Sequence, residues 1–143
     1  MSAPILIDTG PIVALLCQSD RHHHWARDRF AEIEPPLLSC EAVLAEADHL
    51  TRRHGRAPGS VAGLVRRGVI RVGLELAKEI EAVAAIQIRY QDTPASLADA
   101  CLIRMSEIHD GSRVLTFDSD FRIYRRRGRE VIPSWMPEPQ RSW

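Results

Sequence analysis

The heptapeptide ILIDTGP, residues 5–11, is the strongest indication of the fold in this sequence. Three apolar residues, two of them β-branched, are followed at once by Asp8 and the turn-forming residues 9–11, which is the pattern of a short buried strand closed by a turn. An apolar run without polar alternation indicates a strand covered on both faces, as in a parallel sheet flanked by helices. Ligands of such sheets bind beyond the carboxyl ends of the strands, so Asp8 stands where a ligand is expected.

Short apolar runs and helical segments alternate along the rest of the chain. After residues 5–7, strands are predicted at residues 37–38, 69–72, 114–117 and 130–132. Spacing and capping residues predict helices at 12–17, from 19–20 onwards, at 39–50, 60–67 and 75–90, and from Thr93 and Pro94 to about residue 109. This alternation predicts a single α/β domain over residues 1–136, with a mainly parallel central sheet between layers of helices, and a loose polar tail at residues 137–143.

The composition excludes several classes of protein. With 143 residues, 45% of them hydrophobic and 27% charged, the chain has the size of one globular domain. No apolar run approaches the roughly 20 residues that cross a bilayer, and the N-terminus lacks the basic start of a signal peptide, so we expect a cytoplasmic protein. The three cysteines, an odd number in apolar surroundings, indicate buried thiols. The 19 Lys and Arg balance the 19 Asp and Glu, which argues against a nucleic-acid binder with a strong overall field.

Four acidic residues lie in apolar surroundings. Asp8 and Asp118 each follow a predicted strand, whereas Glu46 and Asp99 lie on predicted helices among apolar neighbours. Each has a structural interpretation by itself, such as a turn, a cap or a pair with an arginine. Asp99 is the hardest to explain in this way, because aspartate is unfavourable in the middle of a helix and a lone buried carboxylate is costly. Together the four acids predict one site for a hard divalent cation such as Mg²⁺, which can activate water and assist displacement at phosphorus.

Four short motifs resemble the PIN-domain family, and especially its toxin nucleases of VapC type. They are ILIDTGP (residues 5–11), VLAE (43–46), SLADA (96–100) and LTFDSDF (115–121), in the family's order and approximate spacing. The resemblance extends from about Ile5 to Met136. It implies a three-layer α/β/α sandwich and a ribonuclease that depends on Mg²⁺ or Mn²⁺ and leaves a 3′-hydroxyl and a 5′-phosphate.

The resemblance also implies roles for individual residues. The catalytic, metal-binding quartet consists of Asp8, Glu46, Asp99 and Asp118. Three aspartates would hold the metal directly or through water, while Glu46 orients or deprotonates the attacking water or binds a second metal. The supporting positions are Thr9, Thr116 and Asp120. Ser96 stands where relatives often carry Asp, so the support of that Asp is absent here. Glu41 is a further supporting candidate that matches less well, because five residues of helix turn it about 140° away from Glu46; it either reaches the edge of the site or serves the helix dipole.

A toxin of this kind acts on RNA, is held by an antitoxin from another chain and is expected to form a homodimer. A housekeeping RNA-processing nuclease would use the same site, and a PIN protein that only binds RNA or serves as a scaffold would not need the intact quartet. A haloacid-dehalogenase-like phosphatase requires a second Asp where this chain has Gly10. A Toprim-like nuclease requires its Glu after an N-terminal strand, whereas Glu46 lies on a predicted helix.

Two acid-free stretches are rich in arginine: residues 51–74 contain six and residues 122–129 contain five. They are either solvated surfaces or phosphate contacts, and nearness to Asp118 favours phosphate contact for Arg122, Arg125, Arg126 and Arg127. Tyr124 and Trp135 are candidates for stacking on bases, although packing is the more common use of such residues. His22, His23 and His24 point in different directions on a helix, which argues against a metal cluster. The zero net charge is thus the sum of an acidic centre and basic flanks, and does not exclude a nucleic-acid partner.

Overall fold

A computed structural model describes residues 3–138 of the chain. Within this range the strands and helices alternate as predicted. The strands are β1 (Ile5–Ile7), β2 (Leu37–Ser39), β3 (Ile70–Val72), β4 (Arg113–Leu115), β5 (Arg125–Arg126), β6 (Glu130–Val131) and β7 (Ser134–Trp135). The helices are α1 (Thr9–Leu16), α2 (His23–Glu32), α3 (Glu41–Arg53), α4 (Ser60–Arg66), α5 (Leu76–Arg89) and α6 (Leu97–Ile108), with a 3₁₀ helix at Ser119–Arg122.

The first strand lies at the centre of a five-stranded sheet with the order β3-β2-β1-β4-β7, in which every neighbouring pair is parallel. Leu6 of β1 is paired with Leu38 on one side and Val114 on the other. Leu6 and Ile7 point to opposite faces of the sheet, and both are completely buried. Because both faces are covered, the predicted α/β/α fold with a parallel central sheet is confirmed.

Helices α1 and α6 begin at residues other than those predicted. The first helix begins at Thr9 and not at residue 12, since Asp8 itself is the N-cap and Pro11 falls in the first turn, where a missing amide proton costs nothing. The last helix begins at Leu97 and not at Thr93, because the Ser96 side chain caps it.

The third difference concerns the start of α3. This helix begins at Glu41, and Ser39, predicted to cap it, instead ends β2 and donates its hydroxyl hydrogen bond to the carbonyl of Ile7 (2.9 Å). The hydroxyl thus ties β2 to the strand that carries Asp8.

The strand predicted at residues 130–132 does not join the central sheet. Glu130–Val131 pairs antiparallel with Arg125–Arg126 in a small separate hairpin. Arg127 and Gly128 have φ values of 53° and 80°, as the mirror-image turn of a tight hairpin requires. The fifth strand of the central sheet is β7, which the sequence patterns did not indicate.

One hydrophobic core joins the sheet to the helices, and the three cysteines are free and buried, as predicted. Tyr124 is completely buried in this core. None of the helices in the part of the chain that the structure describes has the length and apolar character needed to span a membrane. Most of the tail predicted at residues 137–143 lies outside the described residues, so its looseness stays a prediction.

Candidate active site

The four acidic residues singled out from the sequence face one cavity at the carboxyl edge of the central sheet. The cavity has a volume of about 510 Å³. Its lining consists of Asp8, Thr9, Gly10, Glu46, Leu50, Ser96, Asp99, Phe117 and Asp118. No arginine, lysine, histidine or cysteine is among these residues, so the cavity concentrates negative charge.

Asp8 is held in place by the pairing of β1 with β4. Ile7 is in register with Leu115, so that the next residues, Asp8 and Thr116, lie side by side. The Thr116 hydroxyl donates to Asp8 Oδ2 (2.7 Å), and the Thr9 amide donates to Asp8 Oδ1 (2.8 Å). Both carboxylate oxygens are therefore fixed before any ligand binds.

The environment of Asp8 favours its protonated form. The side chain is only 8% exposed, and burial raises its pKa from 3.8 to about 6. The hydrogen bonds from Thr116 and Thr9 lower this pKa, while the charges of Asp99 and Asp118 raise it further. The three aspartates are thus close enough for their charges to repel one another.

Asp118 is linked to Asp8 through Thr116. The Asp118 amide donates to the Thr116 hydroxyl (3.0 Å), which in turn donates to Asp8. Asp118 also caps the 3₁₀ helix, because its Oδ1 accepts from the Asp120 amide (2.9 Å). Asp120 is not among the residues lining the cavity.

Asp99 lies in the first turn of α6, and not in the middle of the helix as the sequence pattern suggested. Ser96 and Asp99 cap each other: the Asp99 amide donates to Ser96 Oγ (3.0 Å) and the Ser96 amide donates to Asp99 Oδ2 (3.2 Å). Asp99 is thus a favourable residue for its position. Contrary to the prediction, aspartate is therefore not out of place at this position, although its side chain does face the cavity.

Tyr124 is the residue of this site that sequence reasoning missed. Its hydroxyl donates to Asp99 Oδ2 (3.2 Å) from a completely buried ring. Burial raises the pKa of Asp99, while the hydrogen bonds from Ser96 and Tyr124 lower it. The only signal in the sequence is a tyrosine six residues after Asp118, which does not by itself indicate a partner on α6. The ring of Tyr124 packs in the core, and packing is more common for such residues than stacking on bases.

Glu46 reaches the cavity from α3 and is the most solvent-exposed member of the quartet. The Thr9 hydroxyl donates to Glu46 Oε2 (3.2 Å), which joins α3 to the start of α1. Glu41, five residues earlier at the start of α3, is exposed and is not among the residues that line the cavity. Of the two roles open to Glu41, this position fits that of an acid in the first turn of the helix.

Phe117 lines the cavity beside the turn between β1 and α1. A Cβ atom at Gly10 would lie 2.7 Å from Phe117 Cδ2, so a side chain there would displace the ring. The His22 ring lies 4.6 Å from the Phe117 ring, whereas His23 contacts the carbonyl of Ala14. His22 and His23 thus have different surroundings, whereas the rings of His23 and His24 lie 5.4 Å apart.

Three of the four arginines predicted to contact RNA have contacts within the protein. Arg126 lies 3.5 Å from Glu130, and Arg127 lies 3.0 Å from Asp110 and 3.1 Å from Glu130. Arg125 donates to backbone carbonyls at the end of the 3₁₀ helix. Arg122 is exposed and lines a neighbouring cavity that also touches Phe117.

The donor chemistry of the cavity suits a divalent cation. Between Ala3 and Glu138 no three His, Cys, Asp or Glu side chains are grouped closely enough to enclose an ion by themselves. Mg²⁺, however, is usually held by one or two carboxylates and keeps several waters. Carboxylate and hydroxyl oxygens are the available donors, and the raised pKa values of Asp8 and Asp99 mark uncompensated negative charge that a cation would neutralise.

Comparison with known proteins identifies the family to which the chain belongs. A family model described as PIN domain matches residues 5–127. The fold is similar to that of the Mycobacterium tuberculosis toxin VapC20, whose structure is described as that of a sarcin-ricin loop cleaving toxin. The TM-score is 0.70 with 25% sequence identity, over 81% of this chain and 91% of VapC20. No curated protein matches the sequence. The chain belongs to the PIN-domain family, and its fold is similar to that of a VapC toxin.

Proposed function

We propose that this protein is an endoribonuclease that depends on Mg²⁺ or Mn²⁺ and serves as the toxin of a toxin–antitoxin pair. The observation that carries the proposal is the convergence of Asp8, Glu46, Asp99 and Asp118 on one cavity without a basic side chain. Family membership supports nuclease activity, and the similarity to a toxin described as sarcin-ricin loop cleaving supports RNA as the substrate.

Each acid has a proposed role in hydrolysis. Asp8, Asp99 and Asp118 would hold the cation directly or through water. When bound, a divalent cation would supply Lewis-acid stabilisation of the scissile phosphate and would make water a better nucleophile. Glu46, the most accessible of the four, orients or deprotonates the attacking water or binds a second ion. Thr9 orients Glu46, and Thr116 orients Asp8, through the hydrogen bonds described above. The products carry a 3′-hydroxyl and a 5′-phosphate.

A cleavage assay with Mg²⁺ or Mn²⁺ tests the proposal. Asp8→Asn removes the charge with little change to the local structure, because asparagine keeps an acceptor for the Thr9 amide and is as favourable at a helix N-cap as aspartate. We expect Asp8→Asn and Asp99→Asn to abolish cleavage with the fold intact by circular dichroism. Asp92→Asn is the matched control, because Asp92 is exposed and outside the cavity. Wild-type cleavage in EDTA, or retained cleavage by Asp8→Asn, would overturn the mechanism.

The toxin role has its own test in cells. Induction should arrest growth, co-expression of a small upstream reading frame should relieve the arrest, and Asp8→Asn should remove it. Metal-dependent cleavage without growth arrest would instead identify a housekeeping RNA-processing nuclease. Binding of RNA without cleavage would identify a non-catalytic PIN protein. The cytoplasmic location, the homodimer and the antitoxin partner belong to the same proposal.

A further inference from the structure

A basic groove lies at the C-terminal end of α3, the helix that carries Glu46. His49, Arg52 and Arg53 on the helix and Arg56 in the loop after it line a groove of about 580 Å³, together with Gly55 and Pro58. All four basic residues are exposed, and no acid lines the groove.

The guanidinium groups of this groove are free of ion pairs among residues 3–138. Asp48, four residues before Arg52 on the same helix, forms no ion pair with it within this range. The helix dipole accounts for cations in the last turn of α3, where Arg52 and Arg53 lie. It does not account for Arg56, which lies beyond the helix end and completes the same groove.

The groove and the acidic cavity are joined along one face of α3. Glu46, Leu50 and Arg53 follow each other at spacings of four and three residues, which places them on one side of the helix. Leu50 lines the cavity, and Arg53 lines the groove. Seven residues of helix separate Glu46 from Arg53 by about 10 Å along the axis. An RNA strand that crosses the acids and continues along this face of α3 would reach the groove.

We propose that this groove binds backbone phosphates of the RNA strand on one side of the scissile bond. The inference rests on the proposed ribonuclease activity and adds the path of the substrate. Arginine suits this role because its planar guanidinium binds phosphate oxygens in a bidentate manner. A groove with several cations and no acid attracts a polyanion, and its position next to the catalytic acids favours RNA over an acidic protein.

The test measures RNA affinity in a protein that does not cleave. In the Asp8→Asn background, the groove variant Arg52→Gln/Arg53→Gln/Arg56→Gln is compared with Arg66→Gln/Arg67→Gln/Arg71→Gln. The second triple is exposed, comes from the same acid-free stretch, removes the same charge and lines neither the groove nor the cavity. The probe is a fluorescein-labelled single-stranded RNA of mixed sequence, followed by anisotropy at several salt concentrations without metal.

We expect the groove triple to raise the Kd about tenfold or more at low salt, and to reduce the slope of log affinity against log salt by about 2. The control triple should change both much less. Equal losses of RNA affinity in the two triple variants would indicate an effect of overall charge and would overturn the proposal. An unchanged affinity in the groove triple would overturn it as well. Unchanged affinity with an altered particle size on a sizing column would assign the groove to a protein interface instead.

The same groove triple in the wild-type background separates this inference from the proposed function. If wild-type protein cleaves RNA, the groove triple should raise KM and leave kcat unchanged. If the wild type cleaves RNA and the groove triple has the same KM as the wild type, only the proposed role of the groove in RNA binding is overturned. Absence of cleavage by wild type overturns the proposed function, while the binding experiment still decides the groove.

Discussion

Tyr124 shows how a single residue ties the core to the acidic cavity. Its ring is completely buried and packs edge-on against Phe121 and Tyr90, yet its hydroxyl reaches Asp99 Oδ2. The same carboxylate oxygen accepts from the Ser96 amide. Asp99 is thus held by donors from two directions, which stabilise its charged form against the burial that raises its pKa.

We predict that Tyr124→Phe moves the acidic limb of the pH–activity profile to higher pH. Loss of the donor disfavours the charged carboxylate, so the pKa of Asp99 rises further and more protons compete with the metal. The stability cost should be about 1 kcal/mol, as for a typical hydrogen bond. Urea unfolding and the pH profile of cleavage measure the two effects.

Tyr90→Phe is the matched control. The Tyr90 hydroxyl accepts from the Arg125 amide (2.8 Å) and has no carboxylate partner in the described part of the chain. This variant should lose comparable stability without moving the pH profile. A profile for Tyr124→Phe that superimposes on that of the wild type would contradict the positioning role.

At the scale of elements, the first turn of α6 serves two purposes. Ser96 and Asp99 satisfy each other's backbone amides, and the same turn presents Asp99 to the cavity. The capping box thus fixes the orientation of a side chain that a loop would leave free. Helix α3 likewise presents Glu46 to the cavity and Arg53 to the basic groove.

We predict that Ser96→Ala lowers the free energy of unfolding by about 1 kcal/mol, because the Asp99 amide loses its acceptor. Cleavage should fall as well, since Asp99 is less firmly oriented. Ser60→Ala is the control: Ser60 begins α4, and its hydroxyl donates to the carbonyl of Ala57 without capping the helix. Equal stability of Ser96→Ala and the wild type would show that the box contributes little.

At the scale of the whole molecule, the acidic cavity buries carboxylate charge that a cation would neutralise. Burial raises the pKa of Asp8 to about 6, so the folded state binds more protons than the unfolded state between about pH 4 and pH 6. The stabilisation from protonated Asp8 is therefore complete below about pH 4 and is lost as the pH rises through about 6.

We predict that, without metal, the stability of the wild type relative to Asp8→Asn falls by about 3 kcal/mol between about pH 4 and about pH 7. Mn²⁺ or Mg²⁺ should raise the Tm of the wild type more at pH 7 than at pH 5, because deprotonated carboxylates bind the ion. Urea titrations and thermal melts across pH test this, with Asp92→Asn as the control. Parallel pH curves for the wild type and Asp8→Asn would contradict it.

Much of the fold follows from local patterns in the sequence. The apolar run at residues 5–7 predicts a central strand because it has no solvated face, and the observed strand is buried on both sides. The hairpin at residues 125–131 was not predicted. It depends on positive φ values at Arg127 and Gly128 and on ion pairs of Arg127 with Asp110 and Glu130, and such contacts leave no periodic signal.

For the candidate site, local patterns are enough to single out the four acids, because a carboxylate among apolar residues or at a strand end needs a physical reason. They do not reveal that Thr116 bridges Asp8 and Asp118, that Tyr124 supports Asp99, or that residues after the end of α3 complete an acid-free groove, since these contacts depend on how the chain packs. Local spacing fixes which side chains share a strand or a helix face. Contacts between Asp8 and Thr116, 108 residues apart, depend on the register of paired strands, which packing of the whole chain sets.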